Sequence, residues 1–337
     1  MLSARKKPAA VWSSSVSGSD LRIGAKELAG QLIDTHTHCG GMDLSNFYKG
    51  RYPSSQDILD LDEKRHSADV GYQIVFPMPT SLYYDIPAYW KDHVYVPSGY
   101  SAHPFQLENQ YLFSQIKHFH LERMLPFAAI SLQAKAAEQE ADILRLAEQY
   151  PLYGLKHHTK VDQKSADKLD QESGFVELAR QLNVPVIFHT EQKGCSGAMA
   201  VLELAARHPD VRFCAAHMGG LSAEFCRGLD GYPYDNIYVD TCPLLPRCAS
   251  VSKNRSPQLL ELDYENPQSV LRYFVERYPG RMLWGTDAPW TNYGLLEEPK
   301  HENPANFGYH QEATMIRTSG YQQIMTKNTI RYLFGGK

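Results

Sequence analysis

Two histidines separated by one residue, His36 and His38, are the first candidates for a functional site in the sequence. They follow a short apolar run, in the segment QLIDTHTHCGG at residues 31–41. Residues two apart on a β-strand point to the same side, so both imidazoles can face one metal ion. An H-x-H triplet also arises by chance in a chain with 14 histidines. The pair alone therefore leaves two interpretations, metal binding or two polar residues that close a strand.

Other polar residues occupy the same kind of position, at the C-terminal end of an apolar run. They are His158, His189, His217, Asp240 and Asp287. A lone histidine at a strand end is usually a hydrogen-bonded structural residue, and for His158 we leave both interpretations open. Three imidazoles and one carboxylate form a common ligand set for Zn²⁺ or another first-row divalent ion. The residues that offer this set are His36, His38, His189 and Asp287.

The elements that must position these residues are short apolar runs separated by amphipathic stretches. Eight runs are candidate strands, at residues 31–36, 72–78, 123–130, 152–158, 184–190, 211–217, 236–242 and 281–287. Helical patterns occupy residues 134–151, 194–209 and 266–279. Nearly continuous apolar strands that alternate with helices predict a (β/α)8 TIM barrel, in which strand ends meet at one mouth. An open doubly wound sheet is the alternative, but no G-x-G-x-x-G follows the first strand.

Two connections are too long for simple turns, and both follow strands. Residues 79–122 and 288–310 are rich in aromatic residues and proline. In a barrel both lie at the C-terminal face, where active sites are built. We expect 79–122, with Tyr84 and Trp90, to cover the cavity and select the substrate. The predicted domains are a loosely attached N-terminal arm over 1–30 and a single barrel over 31–337.

Composition excludes several classes of protein. The chain has 337 residues, of which 43% are hydrophobic and 21% charged, with a formal net charge of -4. This balance is typical of a soluble globular protein with a large core and gives no reason to expect nucleic acid or a membrane as partner. Six cysteines without a C-x-x-C pair favour reduced thiols and a cytoplasmic location. No run approaches the length of a membrane span, and no continuous apolar signal segment follows the basic start.

The motifs IDTHTH, VPVIFHT, CAAHMGG and LWGTDAP, with a closing KNTIRYLFGG, resemble the amidohydrolase superfamily. The resemblance is strongest to the subgroup that contains aminocarboxymuconate semialdehyde decarboxylase, aromatic-acid decarboxylases and pyrone dicarboxylate lactonase. It covers about residues 31–336 in order and implies a (β/α)8 barrel. It assigns the metal ligands to His36, His38, His189 and Asp287, gives Asp287 a proton-transfer role and places His217 beside the metal-bound water. It also implies a divalent ion, Zn²⁺ first and Mn²⁺ or another first-row metal as alternatives, and a homodimer by analogy.

The chain departs from the subgroup in one informative place. Its decarboxylases commonly carry an H-x-G-E segment after the sixth strand, whereas this chain has His217-Met218-Gly219-Gly220. The missing carboxylate favours hydrolysis. A second metal ion would need a bridging group, for which Lys156 and Glu191 are the candidates. We expect one ion, and Lys156 as a buried structural residue one layer below His158.

The sequence therefore predicts a metal-dependent hydrolase. Its substrate would be a small, cyclic or aromatic molecule with a lactone, amide or ester C=O, attacked by metal-activated water. Arg51, Arg247 and Lys253 are candidate anchors for a substrate carboxylate. The alternative is a non-oxidative decarboxylase of an aromatic or muconate-like acid. A non-catalytic barrel that binds a ligand is a third hypothesis, which the full metal-ligand set disfavours.

Overall fold

Eight parallel strands form a nearly closed barrel in a computed structural model that describes residues 18–41, 55–92, 94–253, 255–290 and 307–335. The strands are β1 Ile33–Gly41, β2 Ser55–Gln56, β3 Tyr72–Pro77, β4 Met124–Ile130, β5 Gly154–His157, β6 Val186–Phe188, β7 Phe213–Ala215, β8 Ile237–Asp240 and β9 Met282–Leu283. Short β2 pairs antiparallel with β1 and stands outside the barrel order β1-β3-β4-β5-β6-β7-β8-β9. The predicted (β/α)8 class is confirmed.

Helices alternate with the strands around the barrel. The described helices are α1 Ala25–Leu28, α2 Ile58–Ser67, α3 Ile86–Asp92, α4 Gln106–His118, α5 Ala136–Gln149, α6 Thr159–Asp162, α7 Leu169–Glu172, α8 Phe175–Leu182, α9 Met199–Arg207, α10 Ala216–Gly219, α11 Ala223–Asp230, α12 Leu244–Lys253, α13 Pro267–Arg277, α14 Phe307–Ser319 and α15 Gln322–Phe334. Three of them, α5, α9 and α13, lie within the predicted helical segments. None of the described helices is both long and apolar enough to cross a membrane.

The barrel closes through hydrogen bonds between β1 and the segment that includes and follows β9. Thr35 N donates to Trp284 O, Asp287 N to His36 O and His38 N to Ala288 O, each at 2.8 Å. Inside this seam the Asp34 carboxylate accepts from Thr286 N at 3.0 Å and from Thr286 Oγ1 at 2.7 Å. The first and last barrel strands, which carry candidate metal ligands, are thereby held side by side.

Two layers of apolar side chains support the barrel. Ile74, Phe76, Phe127 and Ile187 fill its interior and are fully buried. A larger layer lies between the strands and the surrounding helices, into which α13 presents its apolar stripe. Buried strands with both faces covered explain why the runs read as continuously apolar rather than alternating.

Residues 79–122, the first of the two long connections, include regular structure. The segment contains α3 and α4. The helix α4 buries Leu112, Phe113 and Ile116 at helical spacing, and Asn109 exchanges hydrogen bonds with the backbone of Ala129 in β4. Of the second predicted loop, residues 291–306 lie outside the described residues, and α14 already begins at Phe307.

The described part of the N-terminal arm is packed against the barrel, in contrast to the expected loose attachment. Leu28 is 0% exposed within the same apolar cluster as the barrel interior. Ile23 N donates to the Tyr153 hydroxyl at 2.8 Å, and the Arg22 guanidinium lies 5.1 Å from the centre of that ring. Charged residues stand next to Ile23 and Leu28 in the sequence, so composition alone does not reveal this apolar contact. Residues 1–17 lie outside the described part of the chain.

Candidate metal centre and active site

His36, His38 and Asp287 converge at the mouth of the barrel. The two histidines share one face of β1, and Asp287 follows β9 with a left-handed φ of 57°. His36 Nε2 and His38 Nε2 each lie 3.4 Å from Asp287 Oδ1. Ligand atoms of the three residues lie within 4.8 Å of one another. The structure therefore brings together three of the four residues that the sequence nominates as ligands.

Hydrogen bonds set the protonation of both imidazoles. His38 Nδ1 lies 3.0 Å from Pro77 O, a carbonyl that can only accept, so Nδ1 carries the proton. His36 Nδ1 lies 2.8 Å from the Asp240 carboxylate and likewise donates. Both Nε2 atoms are left with lone pairs directed at Asp287. A carboxylate or carbonyl behind a histidine is the usual support of a metal ligand, and these residues fit a divalent ion.

Burial and charge favour the protonation states that a metal ion requires. Burial lowers the pKa of His36 and of His38, which keeps both imidazoles neutral. Burial alone would raise the pKa of Asp287, but the positive charges that the neighbouring imidazoles acquire in acid, His36 first, lower it below its usual range. Neutral imidazoles and an ionised carboxylate are the forms that bind metal ions.

Asp240 is the residue whose role sequence reasoning missed, although its strand-end position was noted. It is fully buried, and its second oxygen accepts from His217 N at 2.7 Å while the first accepts from His36. Cys242 Sγ donates to the same carboxylate at 3.0 Å. A single side chain on β8 thus orients a candidate ligand and the backbone of α10, the short segment after β7. The inward position of Asp240 in an apolar run was the available signal.

His217 stands in an unusual backbone. Residues 217–221 all have positive φ, from 55° to 68°, and the Asp240 bond described above anchors the start of this run. His217 Nδ1 donates to Cys242 O at 2.7 Å, so the neutral ring presents Nε2 as an acceptor. Burial lowers the pKa of His217 to about 3, which keeps the ring neutral. Neutral His217 can accept a proton but cannot donate one to an oxyanion.

His189 lies beside this group but is not brought into the set of close ligand atoms. Its Nδ1 lies 2.9 Å from His217 Nε2, and its ring stacks on His158 with centres 4.1 Å apart. The other nitrogen, Nε2, is buried without a hydrogen-bond partner, 3.6 Å from Glu191. That Glu191 carboxylate pairs with Lys160 at 2.6 Å. The ligand role of His189 stays a prediction, supported by this unpaired nitrogen.

Lys156 is buried, as expected, but it is not separated from the centre by a layer of side chains. Its Nζ lies 3.1 Å from His36 Nε2 and 4.8 Å from the centre of the Phe76 ring. The long, flexible stem of lysine carries the amine up from β5 to the mouth. The amine therefore faces the same lone pair that a metal ion would take.

Two of the remaining candidates border the centre. Arg247 has a buried Nε without a hydrogen-bond partner, and its charge acts on His217. The Tyr84 hydroxyl contacts Ser131 Oγ at 3.2 Å, and its ring lines a small cavity together with His158. Lys253 is exposed at the end of α12. Arg51 lies outside the described residues, as does the side chain of Trp90.

The protein belongs to the amidohydrolase family, because the family model described as Amidohydrolase matches residues 100–303. This match includes His189, His217 and Asp287, while His36 and His38 precede it. The chain also shares its fold with solved members of the superfamily. A comparison with curated proteins finds no match.

Three solved structures illustrate this likeness. A probable 2-pyrone-4,6-dicarboxylic acid hydrolase from Acinetobacter baumannii is 14% identical, with a TM-score of 0.56 over 91% of this chain and 100% of that one. A 2,6-dihydroxybenzoate decarboxylase from Rhizobium is 13% identical, with a TM-score of 0.55 over 91% and 98%. A 5-carboxyvanillate decarboxylase from Novosphingobium aromaticivorans, complexed with manganese, is 10% identical, with a TM-score of 0.58 over 94% and 99%. At these identities the likeness concerns the fold.

Proposed function

We propose that this protein is a metal-dependent hydrolase that cleaves a lactone, amide or ester bond in a small cyclic or aromatic substrate. The observation that carries the proposal is the convergence of two imidazole lone pairs, from His36 and His38, on the Asp287 carboxylate. His189 would complete the ligand set. Zn²⁺ suits three imidazoles and one carboxylate, and Mn²⁺ is the alternative that the manganese-containing structural relative supports.

The residues around the centre have separable tasks in such a reaction. When bound, a divalent ion would lower the pKa of a water molecule and polarise the substrate carbonyl. Asp287, ionised and 3.4 Å from both imidazoles, can take a proton from the attacking water and return it to the leaving group. His217 Nε2 accepts from His189 Nδ1 at 2.9 Å, so His217 would hold the candidate ligand His189 in position.

The backbone at Gly220 supports hydrolysis over decarboxylation. A Cβ built at this position would come within 2.2 Å of the Glu191 carbonyl carbon, and the φ of 68° further disfavours a side chain. The glutamate that the resembling decarboxylases carry in H-x-G-E therefore has no room here. If decarboxylation needs that carboxylate, this chain cannot supply it from the same position.

Decarboxylation of an aromatic or muconate-like acid is the second candidate. It is supported by the solved decarboxylases that share the fold. Tyr84, Tyr89 and Tyr95 pack against one another beside His158, and their rings could contact a planar substrate if they move apart. In this reaction Asp287 would deliver a proton to carbon rather than receive one from water.

For substrate recognition we propose Arg247 as the anchor of a carboxylate. Its Nε lacks a hydrogen-bond partner although it is buried, and its charge acts on His217 beside the centre. A guanidinium in this state gains most from an anionic substrate group. Changing Arg247 to Gln should raise KM for a carboxylated substrate more than it lowers kcat. An equal loss on a substrate that lacks the carboxylate would contradict the assignment.

Product analysis separates the two reactions. Purified protein would be assayed against lactones and aromatic acids in ¹⁸O-labelled water, with the Asp287→Asn variant as control. Incorporation of label without carbon loss supports a hydrolase, whereas release of CO₂ supports a decarboxylase. Elemental analysis of the same sample identifies the metal and its stoichiometry. One ion per chain is expected, and two would point to Lys156 or Glu191 as a bridging group.

The proposal also covers the cellular location and the partners of the protein. All six cysteines are free, which supports a reducing, cytoplasmic location. We expect the protein to bind a small-molecule substrate and to form a homodimer. We expect no nucleic-acid or membrane partner. Size measurement in solution tests the homodimer.

A further inference from the structure

A second cavity lies at the end of the barrel opposite the candidate centre. It is a groove of about 690 Å³, within the range of about 300–1,000 Å³ that small-molecule sites occupy. Arg212, Asn236 and Arg281 line it, and they directly precede strands β7, β8 and β9. We call it the N-terminal groove, because it lies where these strands begin. Active sites of this fold lie where the strands end, so the groove is separate from the centre described above.

The N-terminal groove carries an excess of positive charge on a chain whose net charge is -4. Arg212, Arg281 and Arg331 all line it. Among the described residues, Arg212 and Arg331 form no ion pair, and Arg281 has only the fully exposed Asp235 at 3.9 Å. A fourth arginine in the groove, Arg277, is already paired with Asp230. Three guanidinium groups therefore share one groove with little compensating charge.

Two of these arginines are held in place by backbone carbonyls. Arg212 donates to Tyr332 O at 2.7 Å. Arg281 donates to Ile237 O at 3.2 Å and to Tyr234 O at 2.9 Å. Such bonds fix each guanidinium at the edge of the groove before any ligand arrives.

Arg331 provides the free donors of the groove. It is exposed on α15, and its hydrogen bond in the described structure goes to the Asn328 amide oxygen. A guanidinium has five N–H donors, so most of those on Arg331 remain available. A fixed pair of cations beside a free one is a favourable arrangement for an anion with several oxygen atoms.

The floor of the groove holds a hydroxyl that has no partner within the described residues. Tyr238 is 5% exposed and lines the groove, but its hydroxyl makes no hydrogen bond there. Burial raises the pKa of Tyr238, and the positive charges of Arg331 and Arg212 oppose this rise. The phenol is therefore a neutral donor at neutral pH. The Tyr238 hydroxyl is not among the buried atoms that lack a partner, so it is accessible from the groove and can donate to an oxygen-rich ligand.

We propose that the N-terminal groove binds a small multivalent oxyanion, either a phosphate ester or a polycarboxylate. Arg212 and Arg281 form its fixed cationic wall. Arg331 supplies the movable donors, and the Tyr238 hydroxyl contacts the anion from the floor. The proposal goes beyond the reaction at the centre and does not depend on which reaction that is.

Isothermal titration of the metal-loaded protein tests this site, with phenyl phosphate as the phosphate probe and glutarate as the carboxylate probe. Ionic strength is held constant with NaCl. Saturable binding of either probe is expected, and the tighter probe identifies the source of the anion. Arg331→Ala should weaken binding about tenfold, the effect of losing a charge-assisted hydrogen bond, and Arg331→Lys should restore part of it. Tyr238→Phe should weaken binding several-fold with little change in packing.

Matched variants exclude general charge effects and binding at the candidate centre. Arg227→Ala removes an exposed arginine of α11 that does not line the groove, and it should bind both probes like the wild type. Failure of both probes to bind saturably at millimolar concentration would overturn the proposal. Wild-type affinity in Arg331→Ala, with affinity lost in Arg247→Gln, would overturn it too, because the probe would then occupy the centre. Circular dichroism of each variant establishes that its fold is intact.

Discussion

Replacing Asp240 by asparagine should weaken metal binding by about 10- to 100-fold, the usual effect of removing a group that supports a metal ligand. Asp240 is fully buried, and its carboxylate accepts from His36 Nδ1 at 2.8 Å and from His217 N at 2.7 Å. Asparagine keeps the size of the side chain. It retains one acceptor oxygen but replaces the other with an NH₂ donor.

The expected loss of metal affinity follows from the protonation of His36. If the asparagine oxygen continues to accept from His217 N, its NH₂ group faces His36 Nδ1, and the imidazole must then carry its proton on Nε2. That proton removes the lone pair that a metal ion needs. The opposite amide orientation leaves two donors facing each other at His217 N. Either cost corresponds to about 1.4–2.7 kcal/mol of metal-binding free energy.

Competition with a coloured chelator measures the metal dissociation constant of each variant at neutral pH. Asp142→Asn is the matched control, since Asp142 is a buried aspartate 3.5 Å from His103 but belongs to α5, away from the centre. It should bind metal like the wild type. Thermal unfolding of both variants separates metal affinity from stability. A dissociation constant for Asp240→Asn within twofold of the wild type would refute the argument that Asp240 sets the protonation of His36.

Four further predictions follow from the same geometry. The double change of His36 and His38 to Ala should abolish metal retention and turnover, and wild-type metal content by elemental analysis would contradict the assignment. Asp287→Asn, assayed with excess metal, should lower kcat about 100- to 10,000-fold; a kcat within a few-fold of wild type would reduce Asp287 to a ligand at most. Tyr84→Ala should raise KM several-fold at unchanged metal content, and an unaltered KM for the active substrate would remove Tyr84 from the binding site. Leu28→Ala should lower the free energy of unfolding by about 2–5 kcal/mol in a urea titration, and a loss below about 1 kcal/mol would show that the arm contributes little to the core.

The barrel and the convergence of three candidate ligands could be predicted because the relevant signals are local. Strands buried on both faces must be apolar throughout, and a polar residue at the end of such a run stands out. His36, His38 and Asp287 were found in this way, and the structure brings them together. The same signal marked Asp240, but only the distance to His36 reveals what the carboxylate does.

The remaining features depend on distances that no local pattern contains. Lys156 reaches His36 because its stem is long and the barrel interior leaves it a path. His189 turns its Nδ1 toward His217, a choice of rotamer that strand periodicity does not determine. The helix α4 was obscured because its apolar stripe is interrupted by polar residues and its segment is crowded with tyrosines. These are properties of tertiary packing rather than of sequence spacing.

The seam that closes the barrel determines when the proposed metal centre can assemble during protein synthesis. Asp34 and Thr286, which clamp this seam, are 252 residues apart in the chain. A contact of such long range forms late in folding, because the intervening chain must first be ordered. His36 and His38 therefore leave the ribosome long before Asp287, and an unfinished chain lacks the carboxylate of the proposed ligand set. A divalent ion bound as proposed would join the first and last strands and would stabilise the closed barrel by mass action.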